Sequence, residues 1–160
     1  VKSILIYLFC FLIANACSAQ EKSAESINVL SNERLRTLNE KIRKESNNSI
    51  LYFQRASLLD SLQNPLAALA DVNEVLKIDS KNTEAYYLRG LLKIKLDDAS
   101  GAINDFNKII LLDPKNGNAY FQRGLIRLQF KDRSGACLEF KKAEQCNHPQ
   151  AKAMIQKNCL

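Results

Sequence analysis

The chain holds a single histidine, three prolines and no tryptophan in 160 residues. The histidine, His148, has no second histidine to pair with, and although Cys146 stands two residues before it, no further ligand follows at a zinc-site spacing. It is read as a solvated turn residue. No serine, cysteine or acid stands with a base beside it in the way that nucleophilic or acid–base chemistry requires, so neither catalysis nor a cofactor or metal is expected. The chain also lacks an apolar run of the roughly 20 residues that a membrane-spanning helix needs; its longest, Ile4 to Ile13, is shorter. Lysine and arginine outnumber the acids by 23 to 17, yet they are scattered and often set beside Asp or Glu rather than gathered, which argues against a nucleic-acid partner. With 46% hydrophobic and 25% charged residues the composition is that of an ordinary globular chain of one domain.

Repetition takes the place of these missing features. Shifted by 34 residues, Thr83–Asn116 aligns without a gap on Ser49–Asn82 and on Gly117–Gln150. Tyr52, Tyr86 and Tyr120 coincide, as do Phe53, Tyr87 and Phe121, then Arg55, Arg89 and Arg123, then the small residues Ala56, Gly90 and Gly124. Further on, Asn64, Asp98 and Asp132 share a slot, followed by Ala68, Ala102 and Ala136, by Asp71, Asp105 and Glu139, and by Val72, Phe106 and Phe140. Apolar residues recur at helical intervals twice within each unit, so each unit is expected to be two helices. Capping chemistry marks their starts: Asn82 and Asn116 precede first helices, while Asn64, Asp98 and Asp132 precede second ones. Pro65 takes a first helical position, where its missing N–H costs nothing, and Pro114 follows a helix end. Folding each unit back on itself sets Gly90 opposite Ala102, Ala56 opposite Ala68 and Gly124 opposite Ala136, a packing reason for glycine in a helix.

This run of aromatic, small residue, alanine, aromatic and Asp-Pro resembles the tetratricopeptide repeat over about two thirds of the chain. The resemblance implies an all-α fold, an α-solenoid of three helix pairs (49–82, 83–116 and 117–150) with a lead helix at one end and a capping helix at the other. Pentatricopeptide repeats, which read RNA, are the related alternative, and the Asp113-Pro114 ending and unbroken period argue against them. In the tetratricopeptide family the first helices line a concave groove that receives a peptide or a partner protein. By that resemblance the groove residues are Phe53, Gln54 and Ser57, then Tyr87, Leu88 and Leu91, then Phe121, Gln122 and Leu125, with Asp60, Ile94 and Leu128 a turn further on. The family's carboxylate clamp for acidic tails needs lysines and asparagines where Phe53, Tyr87 and Phe121 stand, so apolar or aromatic ligands are expected, unless some of these rings pack in the core.

Arg55 with Asp71, Arg89 with Asp105, and Arg123 with Glu139 are each one constant interval apart and straddle the turn of their unit almost evenly. They read either as an anion-binding arginine ladder or as ion pairs clamping each hairpin. Because the acid recurs wherever the arginine does, the clamp is expected.

Lys2, the apolar run Ile4 to Ile13 and the small residues after it have the order of an export signal. Cleavage after Ala19 leaves a soluble chain starting at Gln20. Cleavage before Cys17 follows the lipobox-like Ala14-Asn15-Ala16-Cys17, with Ala14 where a branched aliphatic is usual, and leaves a lipid-anchored one, the only membrane attachment foreseen. Residues 20–32 read as a polar linker. Residues 33–48 read as the lead helix, because Leu38–Ser46 resembles Val72–Ser80 one period later, and 151–160 as the capping helix. Cys137, Cys146 and Cys159 remain after export. Cys137 and Cys146 lie on one helix about 13 Å apart, too far to bond. Cys137 and Cys159 stand almost equally far from the turn at Asn147–Pro149, and GACLEF through AKAMIQKNC resembles the closing segment of exported bacterial tetratricopeptide proteins in which such a pair recurs. That pairing, or three separate thiols, is expected. The chain is thus expected to be an exported interaction module, or else a lipid-anchored assembly subunit of an outer-membrane complex, in a bacterial envelope.

Overall fold

The computed structural model describes residues 29–159, so the signal segment, both cleavage sites and Cys17 lie outside the described residues. Those residues fall into two units, a lead helix and a repeat array beginning at Glu45. The lead helix, α1, runs over residues 29–44. It therefore includes 29–32, read above as linker, and stops short of 48. Val29 and Leu30 are exposed, so they add nothing to the apolar stripe by which a helix is read from sequence. Asn48 is claimed by the next helix, because its side chain accepts from the Ile50 amide. On α1 itself the half-buried Leu35 and the buried Leu38 and Ile42 share one face.

The array consists of α2 (Ser49–Ser61), α3 (Pro65–Ile78), α4 (Thr83–Lys95), α5 (Ala99–Leu112), α6 (Gly117–Gln129), α7 (Arg133–Gln145) and α8 (Ala151–Asn158). Each helix packs chiefly on its neighbours in the chain. The side chains of Asn48, Asn64, Asn82, Asp98, Asn116 and Asp132 each accept a backbone N–H in the first turn of their helix. Such a cap contributes about 1 kcal/mol. α8 has no side-chain cap. It is held instead by the Cys137–Cys159 disulfide, with Cα atoms 5.7 Å apart, while Cys146 is free and half-buried.

Both turn types follow from one residue. Between paired helices Gln63, Asp97 and Lys131 share a slot and take φ of 57°, 60° and 63°. The next amide then reaches back to the Leu59, Lys93 or Arg127 carbonyl at 2.8–2.9 Å, which ends the first helix in a left-handed cap. Between units, Asp79 and Asp113 stay extended and their carboxylates accept the Lys81 and Lys115 amides at 3.0 Å. Asn147 occupies the same slot after α7 but takes φ 60°, which asparagine tolerates better than most residues. As a result α7 ends one residue earlier than its counterparts, and the chain turns into α8.

Three apolar clusters fill the array, one per helix pair. The glycines serve this packing otherwise than the sequence reading held. A Cβ on Gly90 would stand 2.8 Å from the Phe106 ring, and one on Gly124 would stand 2.5 Å from the Phe140 ring. The small residue therefore makes room for the aromatic ring of the second helix, rather than for the alanine slot. In the first unit the corresponding residues are Ala56 and Val72, both fully buried in one cluster, where a smaller partner leaves space for a methyl group.

Size complementarity within this pair yields an expectation. Gly124→Ala gains about 1 kcal/mol of helix propensity but overpacks a fully buried ring, at a cost of roughly 1–3 kcal/mol. Urea unfolding should show net destabilisation for Gly124→Ala alone and a smaller loss when Phe140→Val accompanies it than the two single changes predict by addition.

Candidate functional site

Along the first-helix face of the array runs a groove of about 590 Å³. Phe53 and Ser57 of α2 and Tyr87, Leu88 and Leu91 of α4 line it, joined by Thr83 and Glu84 at the start of α4 and by Asn116 and Asn118 at the start of α6. The structure thus brings together the expected residues of the first two units except Gln54. The last four residues were missed, because the first turn of each helix was read only for its capping.

The third unit departs from expectation. Phe121 is only 6% exposed and belongs to the core. Its ring lies 5.6 Å from that of Phe140 and stacks on the His148 imidazole at 4.0 Å and 17°. His148 is accordingly not a solvated turn residue. Burial pushes its pKa below the ordinary 6.5, and its Nδ1 accepts the Gln150 amide at 3.3 Å, as the neutral ring can. The cause is the early end of α7, which carries the turn back over Phe121. Leu125 and Leu128 pack on the same cluster, and Ile94 on the middle one. Gln122 donates to the Tyr87 hydroxyl at 3.1 Å, which fixes the tyrosine as its ring edge meets Phe106. Gln54 is exposed and does not line the groove. Asp60 is paired with Lys95 of the next unit.

Behind the groove lie the arginines. Arg55 meets both oxygens of Asp71 at 2.6 and 2.7 Å, and this hydrogen bonding holds its pKa above the ordinary value. Arg89 binds Asp105, and Arg123 binds both oxygens of Glu139 at 2.7 Å through one nitrogen. The longer acid leaves the buried Arg123 Nε without a hydrogen-bond partner. Asp71, Asp105 and Glu139 are 5%, 2% and 6% exposed, so these are clamps rather than a ladder open to anions. The guanidinium groups also lie 5.3–5.7 Å from the ring centres of Tyr52, Tyr86 and Tyr120, within cation–π range.

The arginines also join one unit to the next, which sequence reasoning missed. Arg89 Nη1 donates to Asn73 Oδ1 at 2.9 Å, and Arg123 Nη1 to Asn107 Oδ1 at 2.6 Å. Each of these arginines therefore ties the second helix of the preceding unit to the second helix of its own. The recurring asparagine slot, 73 and 107, was the available signal.

A family model described as the tetratricopeptide repeat matches residues 83–116, the central helix pair. That pair is a tetratricopeptide repeat, and the array around it has the tetratricopeptide fold. Its array is similar to the crystal structure of MamA, with 19% identity and a TM-score of 0.66 over 71% of this chain and 62% of MamA, so it spans less than two thirds of that protein. It is also similar to the first tetratricopeptide domain of Spaghetti (RPAP3), bound to the HSP90 peptide SRMEEVD, with 16% identity and a TM-score of 0.64 over 69% and 90% of the two chains. A third similar structure is YrrB, described as having an unusual peptide-binding site, with 24% identity and a TM-score of 0.63 over 74% and 61%. A sequence search among curated proteins finds no match. Among the described residues, no group of three metal-ligating side chains comes together, and no helix is long and apolar enough to cross a membrane.

The clamps are not equal. Lys93 also reaches Asp105, at 2.8 Å, and Arg127 stands 3.6 Å from Glu139, whereas Leu59 fills that slot in the first unit. Arg55→Ala should therefore strand its buried acid and cost about 3–5 kcal/mol, while Arg89→Ala should cost about 1–3 kcal/mol. Denaturant melts of the two variants give the order directly, and equal losses would show that Lys93 does not compensate.

Proposed function

We propose that this protein is an exported, non-catalytic adaptor whose first-helix groove holds a peptide or a segment of a partner protein. The observation that carries this reading is the groove itself: aromatic and aliphatic side chains of two units line an open space within the 300–1,000 Å³ common for ligand sites. Similar folds include a peptide-bound domain and a protein described by its peptide-binding site. Fold alone does not imply function, so the weight rests on this surface.

Tyr87 and Leu91 also pack on the middle core, so truncating them would mix binding with stability. Ser57 and Asn118 are exposed on opposite sides of the groove. Ser57→Tyr with Asn118→Gln should fill it, reducing capture of partners from envelope extract at least tenfold while changing stability by no more than about 0.5 kcal/mol. Undiminished capture of the same partners would place binding on another face.

Export is supported by the charged start, apolar run and small-residue end of the first residues. The second reading, a lipid-anchored assembly subunit of an outer-membrane complex, is favoured by Ala14-Asn15-Ala16-Cys17 followed by a polar stretch. The intact mass of the native protein separates them: a chain beginning at Gln20 marks a soluble periplasmic adaptor, and a lipid-bearing Cys17 marks the anchored subunit. Retention of residues 1–16 would refute both.

A further inference from the structure

Glu84 is the one charged side chain lining the groove. It lies in the first turn of α4, is exposed, and has no lysine or arginine in ion-pair distance among the described residues. Asp60 of α2, by contrast, is already neutralised by Lys95 at the far end of α4. Glu84 is also peculiar to the central unit, since its slot holds Ile50 and Asn118 in the others. The groove therefore carries a negative charge in a chain whose net charge is +6. Beside that charge lies an apolar floor of Phe53, Tyr87, Leu88 and Leu91. No cation lines the groove to receive a carboxylate, and an acidic tail entering it would meet Glu84 at close range.

We propose that the groove selects a peptide segment that lays an aliphatic or aromatic side chain on this floor and sets a lysine or arginine beside Glu84, and that it rejects acidic carboxyl-terminal tails. This rests on the groove reading above and adds its charge selectivity. Discrimination arises from both halves of the arrangement, attraction of the cation and repulsion of the carboxylate. An exposed ion pair contributes little by itself, so the apolar floor supplies affinity and Glu84 supplies choice.

The test uses the full chain and a displayed library of random peptides, followed by fluorescence polarisation of the enriched sequences and of SRMEEVD as the acidic probe. Enriched peptides should pair a basic residue with a large apolar one, and SRMEEVD should not compete with them. Glu84→Lys should weaken the enriched peptides by about tenfold, with Glu84→Gln between it and the parent, because reversal replaces attraction with repulsion. Ser57→Tyr, which changes no charge, should weaken all of them alike. Peptides that ignore Ser57→Tyr, or no enrichment at all, would overturn the groove reading itself. Peptides that Ser57→Tyr blocks but Glu84→Lys leaves unchanged, or tight binding of SRMEEVD, would overturn only the charge selectivity.

Discussion

Three carboxylates taken almost wholly out of water set the terms for this fold. An ionised acid in such a place costs several kcal/mol unless it is met by charge and hydrogen bonds together. The first helix of each unit supplies the arginine that meets it, and in the second and third units that arginine also holds an asparagine of the preceding unit. One side chain thus fixes both the level of a hairpin and the register between hairpins. Apolar contact alone, being non-directional, would permit sliding by a turn.

The groove depends on this arrangement because its walls come from successive units. Phe53 and Ser57 belong to one first helix, and Tyr87, Leu88 and Leu91 to the next. Their spacing is inherited from the bonds behind them. The Gln122–Tyr87 hydrogen bond adds a direct link between the middle and last first helices. The central helix, α4, is consequently tied to the first helices on both sides, and it carries most of the apolar floor together with Glu84.

Much of this was legible in the residues, because a period of 34 turns one reading into three. Caps, helix pairs and the opposed positions of Arg89 and Asp105 follow from spacing alone. Phe121 shows where such reasoning stops: its slot matches Phe53 and Tyr87, but its surroundings are set by Asn147 and His148, which break the period. The role of Gly90 was misassigned for a related reason, since spacing gives the level of a residue along a hairpin but not which neighbour's ring reaches across. Glu84 was overlooked because its slot does not repeat.

The left-handed turn at Asn147 also sets how the third unit passes the chain on. In the first two units an aspartate in that slot keeps the backbone extended and passes the chain to another helix pair of the same kind. At Asn147 the hand of the backbone changes, His148 covers Phe121, and a short helix is tied down by a disulfide. α8 then packs on α7, as α4 does on α3 and α6 on α5. Growth of the array by duplication could proceed between one aspartate and the next and leave this closing segment untouched. A change of backbone sign in the slot between units thus exchanges an extended link for a turn that leads into a short, disulfide-held helix.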